Sequence, residues 1–186
     1  MKVPVPGDSG LGILAPAAVS AEVSKWRRAY DPHCETVAPH LTVAYSPFVS
    51  EEEWPLVRPA LVGCLRDFPP FRITLRELGT FAGHPHVLWL RPEDDGNLTR
   101  LRAALEGRFP HYVPALPFDY VPHLTVGFFA SQGALSAART AILSELEPLH
   151  FQAEELVYMV IDDDGVWRAR DRLPLGEAVT DSQRSI

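Results

Sequence analysis

Residues 39–43 and 122–126 both read Pro-His-Leu-Thr-Val, an identical pentapeptide recurring far apart in a chain of 186 residues. Each copy joins an imidazole to a hydroxyl two positions on. Side chains of an extended strand alternate between faces, so His40 and Thr42 project together while Leu41 and Val43 point the other way. His123 and Thr125 do the same against Leu124 and Val126. Two imidazoles titrating near neutrality can divide acid–base work, one taking a proton from a nucleophile and the other giving one to a leaving oxygen. Thr42 and Thr125 could then donate hydrogen bonds to the non-bridging oxygens of a phosphoryl group, where charge must be stabilised. This chemistry asks for no metal, and it requires the two motifs to face each other across a cleft.

The residues around each motif bear on that geometry. Ala44 and Gly127, next on the polar face, are too small to fill the space beside each His and Thr, which predicts an open site. Pro39 and Pro122 remove an amide donor just ahead of each His, which suits a strand start or a sheet edge. The plainer alternative is a half-buried strand carrying an incidental His. Identical spacing and matched small residues in both copies argue against it.

The remaining sequence must supply the elements that position these strands. Residues 11–15 predict a short strand, and Val19, Val23, Trp26 and Tyr30 recur at helical spacing until Asp31-Pro32 ends the helix. The first motif sits in a strand predicted over 37–45. Ser50 with Glu53 forms a capping-box signature for a helix carrying Leu56, Ala60 and Cys64, which Pro59 should kink or shorten. "FRITLREL" (71–78) alternates strictly and "HVLWLR" (86–91) follows a Gly and Pro turn, so two antiparallel strands are predicted. Leu98, Leu101 and Leu105 mark a helix, and the loop 109–120 leads into the second motif. Leu135, Ala138, Ile142 and Leu146 mark a helix from Ser131. Residues 155–161 and 166–173 flank the turn Asp162-Asp163-Asp164-Gly165 as a last strand pair, and the polar tail 176–186 is expected to be flexible. Each half thus contains a motif strand, a helix and a strand pair.

Composition bounds the function. With 46% hydrophobic residues the chain can bury one sizeable core, and one compact domain over 1–175 is expected. A net charge of −7 speaks against coating DNA or a membrane surface, while a local pocket for a nucleotide or an RNA end remains compatible. Cys34 and Cys64 have neither disulfide-framework nor zinc spacing, so a reduced, cytoplasmic chain is expected, taken here as a monomer. The apolar stretch 11–21 has the look of a secretory signal, but Asp8, Pro16 and a single Lys2 argue against one. No apolar run is long enough for a membrane span. His33, His84, His86 and His111 lack zinc-type spacing and read as surface or loop histidines, so neither a metal nor another cofactor is expected.

Tandem His-x-Thr motifs on strands resemble the 2H phosphoesterase superfamily, which includes the 2′-5′ RNA ligase-like proteins and cyclic nucleotide phosphodiesterases. The likeness continues through "DPH" before the first motif, "FRITLRELGTF", "HVLWL" and "DDDGVWRARDRLPLG", in that order, over about residues 10–176. The resemblance implies an α+β, bilobal, pseudo-twofold fold with two antiparallel sheets lining a central cleft and helices outside. It further implies metal-independent hydrolysis or reversible ligation at 2′,3′-cyclic phosphate or 2′-5′ phosphodiester bonds of nucleotides or RNA ends. His40 and His123 would be the acid–base pair, with Thr42 and Thr125 binding phosphate. The sequence departs from several ligase-like relatives, which carry a basic residue after the second motif where this chain has Gly127-Phe128-Phe129. Tyr45, Phe81, Tyr120 and Phe128 are candidates for stacking a base, Phe81 foremost because it lies in the loop after "ELGT". Arg168, Arg170 and Arg172 alternate, so they are expected to share a face that could guide RNA. Two alternatives stay open: a non-catalytic module that binds a nucleotide or RNA end, and a phosphodiesterase for another small cyclic phosphate such as an ADP-ribose cyclic phosphate.

Overall fold

In the computed structural model, which describes residues 4–176, the chain forms β1 (Ser9–Leu14), α1 (Ala17–Tyr30), β2 (His40–Ala44), α2 (Trp54–Leu65), β3 (Phe71–Phe81) and β4 (His86–Glu93). It continues with α3 (Asn97–Arg108), β5 (Leu124–Phe129), α4 (Gln132–Leu143), β6 (Leu149–Ala153), β7 (Glu155–Ile161) and β8 (Trp167–Pro174). The strands make two antiparallel sheets, ordered β2-β1-β7-β8 and β5-β4-β3-β6. The architecture is α+β and bilobal, and each motif strand lies at the edge of its own sheet. A proline ahead of each motif is tolerated there because its missing N–H breaks no ladder.

The two lobes are not the two halves of the sequence. The strand pair β3–β4, which follows the first motif, builds the sheet of the second motif strand β5. The pair β7–β8, which follows the second motif, completes the sheet of the first. Each motif strand is therefore held by strands from across the chain, and β2 and β5 come together in the middle.

A matched irregularity follows each His-x-Thr. In the first sheet Thr42 pairs with Gly12 and the next pair is Ala44 with Leu11, which leaves Val43 as an extra residue. In the second sheet Thr125 pairs with Trp89 and the next pair is Gly127 with Leu88, which leaves Val126 as the extra residue. A bulge changes the face on which the following residue sits. Gly127 accordingly does not open space beside Thr125 as the strict alternation predicts. A Cβ at Gly127 would lie 2.5 Å from Tyr30 Cβ and 2.9 Å from the Tyr30 carbonyl oxygen, so the end of α1 fills that place.

Several other expectations need correction. The Ser50–Glu53 box forms, with the Glu53 N–H on Ser50 Oγ at 3.2 Å and Ser50 Oγ on Glu53 Oε2 at 2.9 Å. The helix it opens, however, buries Trp54, Val57, Leu61 and Leu65, and Leu56 is 82% exposed. Trp54 sets this phase by stacking on Tyr158 at 3.8 Å between ring centroids. Pro59 neither ends nor shortens α2, which runs on to Leu65. Strand β6 has no counterpart among the predicted elements; it is a five-residue edge strand paired with the start of β3.

The three arginines of β8 do not all share a face: Arg168 and Arg170 meet at Asp162, and Arg172 stands apart. Arg168 pairs with Val160 and Arg172 with Val157, because the register shifts between Tyr158 and Met159. Val160 and Val157 point to opposite sides of β7, so their partners do too. Gly176, where the tail is expected to begin, donates its N–H to the Leu65 carbonyl at 3.1 Å, and residues 177–186 lie outside the described residues. No helix among the described residues is long and apolar enough to cross a membrane.

Candidate active site

The residues flanking the facing motif strands enclose a cavity of about 560 Å³. His40, Thr42, His123 and Thr125 all line it, so the two pentapeptides deliver their polar side chains to one place. The backbone fixes both rings identically. His40 Nδ1 lies 2.8 Å from the Ala38 carbonyl oxygen, and His123 Nδ1 lies 2.8 Å from the Val121 carbonyl oxygen. A carbonyl only accepts, so each Nδ1 carries the proton and donates it. Each Nε2 is then free, when the ring is neutral, to take a proton from a ligand.

Both imidazoles are held below the ordinary histidine range. Burial is the largest cause for each. For His40 the nearby Arg27 guanidinium and the second imidazole add to the lowering, and Asp31 opposes it. Phe81 meets the His123 ring edge-on at 4.9 Å and stacks on Trp89, also at 4.9 Å. Its place in the fold is thus against the His123 ring rather than on the cavity wall.

Tyr45 and Phe128 line the cavity. Tyr120 does not; its hydroxyl donates to the Thr42 carbonyl at 2.7 Å. That bond ties the loop before the second motif to the strand of the first. Arg102 supports the same spot, donating from Nη1 to the carbonyl of the bulged Val43 at 3.2 Å and from Nη2 to Pro114 at 2.7 Å. Its guanidinium lies 5.9 Å from the Tyr45 ring centroid and 6.0 Å from that of Tyr120. Removing one hydroxyl tests this strut. Tyr120→Phe should cost about 1 kcal/mol of stability in urea denaturation, because a half-buried carbonyl loses its donor.

Arg168 and Arg170 do not reach the cavity. Arg168 pairs with Asp162 and Asp164, and Arg170 with Glu51 and Asp162, while Arg172 pairs with Glu155. Acidic partners offset all three charges.

Residues not singled out from sequence complete the wall. Gly10, Met159, Ile161 and Trp167 form an apolar side, where a Cβ on Gly10 would sit 3.5 Å from the Trp167 ring. Arg27 and Asp31 form a buried ion pair at 2.7 Å across the last turn of α1. Arg27 Nη2 also donates to the Val37 carbonyl at 2.8 Å, and Asp31 Oδ1 accepts the His33 N–H at 2.8 Å. The pair thereby sets the course of the loop that leads to His40. Within the "DPH" stretch Asp31 reads only as a helix end, and its tertiary partner reveals the second role.

The family model described as the 2′-5′ RNA ligase superfamily matches residues 15–165. The chain belongs to the 2′-5′ RNA ligase superfamily. Among relatives of this superfamily member, a Bacillus cereus (strain G9842) protein whose name assigns it to the phosphoesterases is 26% identical, with 90% of this chain and 96% of that one covered. The fold is similar to that of E. coli LigT complexed with 3′-AMP, with a TM-score of 0.64 at 20% identity over 93% of this chain and 100% of the other. TT0787 of Thermus thermophilus gives a TM-score of 0.64 at 20% identity, covering 91% and 99% of the two chains. Kluyveromyces marxianus Usb1 with uridine monophosphate gives 0.54 at 15% identity, covering 92% and 100%. Membership in the 2′-5′ RNA ligase superfamily makes this chain a phosphoesterase in the broad sense.

Proposed function

We propose that this chain is a metal-independent phosphoesterase acting on 2′,3′-cyclic phosphate or 2′-5′ phosphodiester bonds of nucleotides or RNA ends by two-histidine acid–base catalysis. The carrying observation is the matched pair of imidazoles, each with Nδ1 donating to the carbonyl two residues back and both lining one cavity. In hydrolysis, Nε2 of one neutral ring takes a proton from the attacking water. Nε2–H of the other, protonated ring gives a proton to the leaving ribose oxygen. The Thr42 and Thr125 hydroxyls donate to the non-bridging oxygens as charge builds on them. Support for a nucleotide ligand comes from similar folds, since the E. coli protein is complexed with 3′-AMP and the Kluyveromyces marxianus protein with uridine monophosphate.

The pH dependence follows from the two lowered values. Below the lower one both rings are charged and the base is lost; above the higher one both are neutral and the acid is lost. The bell-shaped kcat/KM profile should therefore peak on the acid side of about 6.5, the ordinary histidine value. A plateau rising through pH 8 would contradict the assignment.

The direct test is turnover of 2′,3′-cyclic nucleotides in excess chelator, with analysis of which oxygen keeps the phosphate. Product formation is expected. Tight binding with no product would instead mark the chain as a nucleotide-binding module.

A further inference from the structure

The fixed charges among the described cavity-lining residues are Arg27 and Asp31, and they neutralise each other. A bound phosphate dianion or diester would meet no uncompensated fixed cation there. The cavity nevertheless has a third imidazole. His33 lies on its rim, exposed, in the loop that the Arg27–Asp31 pair holds. Its backbone is anchored twice: its N–H donates to Asp31 Oδ1 at 2.8 Å, and its carbonyl accepts from Thr36 Oγ1 at 3.2 Å. Its ring stands edge-on to Phe128 at 5.5 Å between centroids and 89° between planes. Phe128 itself lines the cavity from the second motif strand, so the His33 ring is located between a fixed loop and a fixed aromatic.

A second observation points the same way. Arg27 is 3% exposed and lines the cavity, yet its Nη1 finds no acceptor. A buried guanidinium N–H without a partner is costly and calls for an explanation. Asp31, the group that could repel an anion here, has one oxygen on Arg27 Nε and the other on the His33 N–H. Its negative charge is consumed locally, while one donor of Arg27, a cavity-lining residue, is left over.

We infer that His33, backed by Arg27, forms a second anion subsite of the cavity, one that takes a further phosphate of a substrate whose scissile phosphate sits between the two His-x-Thr motifs. This rests on the phosphoesterase reading for the placement of the first phosphate. It narrows the substrate class to nucleotides carrying two separate phosphate groups, with the second engaged by the His33 imidazole N–H. The apolar wall of Met159, Ile161 and Trp167 adjoins this loop, the Trp167 N–H donating to the Thr36 carbonyl at 2.8 Å, and suits the uncharged portion of such a ligand.

Binding separates this inference from the catalytic one. The dissociation constants of adenosine 3′-phosphate and adenosine 3′,5′-bisphosphate would be measured by calorimetry on the wild-type chain at one fixed, mildly acidic pH and low salt. The bisphosphate is expected to bind about tenfold more tightly, as one charge-assisted contact allows. That gain should vanish in His33→Ala, persist in His33→Lys and shrink in added salt. His111→Ala, away from the cavity, should leave it unchanged. Equal affinity for the two ligands, or a preference that survives His33→Ala, would overturn the subsite. Turnover plays no part in these readings, so failure of the cyclic-phosphate assay would count only against the phosphoesterase proposal.

Discussion

Replacing either His40 or His123 with Ala is expected to lower kcat on a 2′,3′-cyclic nucleotide by about 10²–10⁴-fold, the usual contribution of a positioned acid or base. The geometry explains why neither ring can substitute for the other. Both have Nδ1 committed to a backbone carbonyl, so each offers a single nitrogen to the reaction, from opposite edges of the cleft. Losing one leaves the proton with no donor or no acceptor. Because the two act as a unit, the double variant should be little worse than the worse single one. KM should change less than kcat, since Thr42 and Thr125 still hold the phosphoryl oxygens. Both rings are half-buried, so thermal denaturation should confirm that each variant folds. Undiminished turnover in either single variant would remove the assignment.

The largest effect on stability is expected at Gly127. Adding one methyl group there places a carbon 2.5 Å from Tyr30 Cβ and 2.9 Å from the Tyr30 carbonyl oxygen, inside the contact distance of both. The obstacle is backbone and the root of a side chain, so rotamer changes cannot relieve it. Either α1 or β5 must move. Gly127→Ala should cost about 1–3 kcal/mol, the usual range for overpacking, and lower Tm by about 2–4 °C for each of those kcal/mol. Because α1 ends in the Arg27–Asp31 pair that holds the rim, the shift should reach the cavity as well. Gly133→Ala is the matched comparison: it lies in α4 with nothing within 4 Å, and it should stabilise by about 0.4–1 kcal/mol. Equal stability of Gly127→Ala and the unsubstituted chain would show that α1 is free to retreat.

The chemistry is more legible in the sequence than the packing around it. Period-two alternation places His40 with Thr42 and His123 with Thr125, and the prolines mark both strands as edges, because these properties belong to single strands. Alternation fails at Gly127, while Ala44 lines the cavity as it predicts. A bulge is decided by the neighbouring strand, and nothing within "HLTVA" or "HLTVG" announces that Val43 and Val126 will be extra. The same cause misplaces the β8 arginines. The Arg27–Asp31 pair is hidden because both residues read as ordinary parts of an amphipathic helix and its end. Tyr120 and Phe81 are recognisable as aromatics near the motifs, but sequence has no means of telling a residue that faces a ligand from one that braces the strand behind it. Leu56 illustrates a smaller failure: a stacking partner in β7 fixes the phase of α2, and that partner lies far along the chain.

The exchange of strand pairs between the lobes has a consequence for how the chain is made. On the ribosome, β1 and β2 can pair as soon as both have emerged, yet the other edge of β1 must wait for Glu155–Ile161, far along the chain. The second motif's sheet closes sooner, since β3, β4 and β5 follow one another along the chain. The nascent β1–α1–β2 unit therefore keeps an open strand edge until β7 is made, exposed to pairing with other chains. Such non-local closure is intrinsically slow. The cavity becomes complete only when the β7–β8 hairpin docks, because Met159, Ile161 and Trp167 form one of its walls.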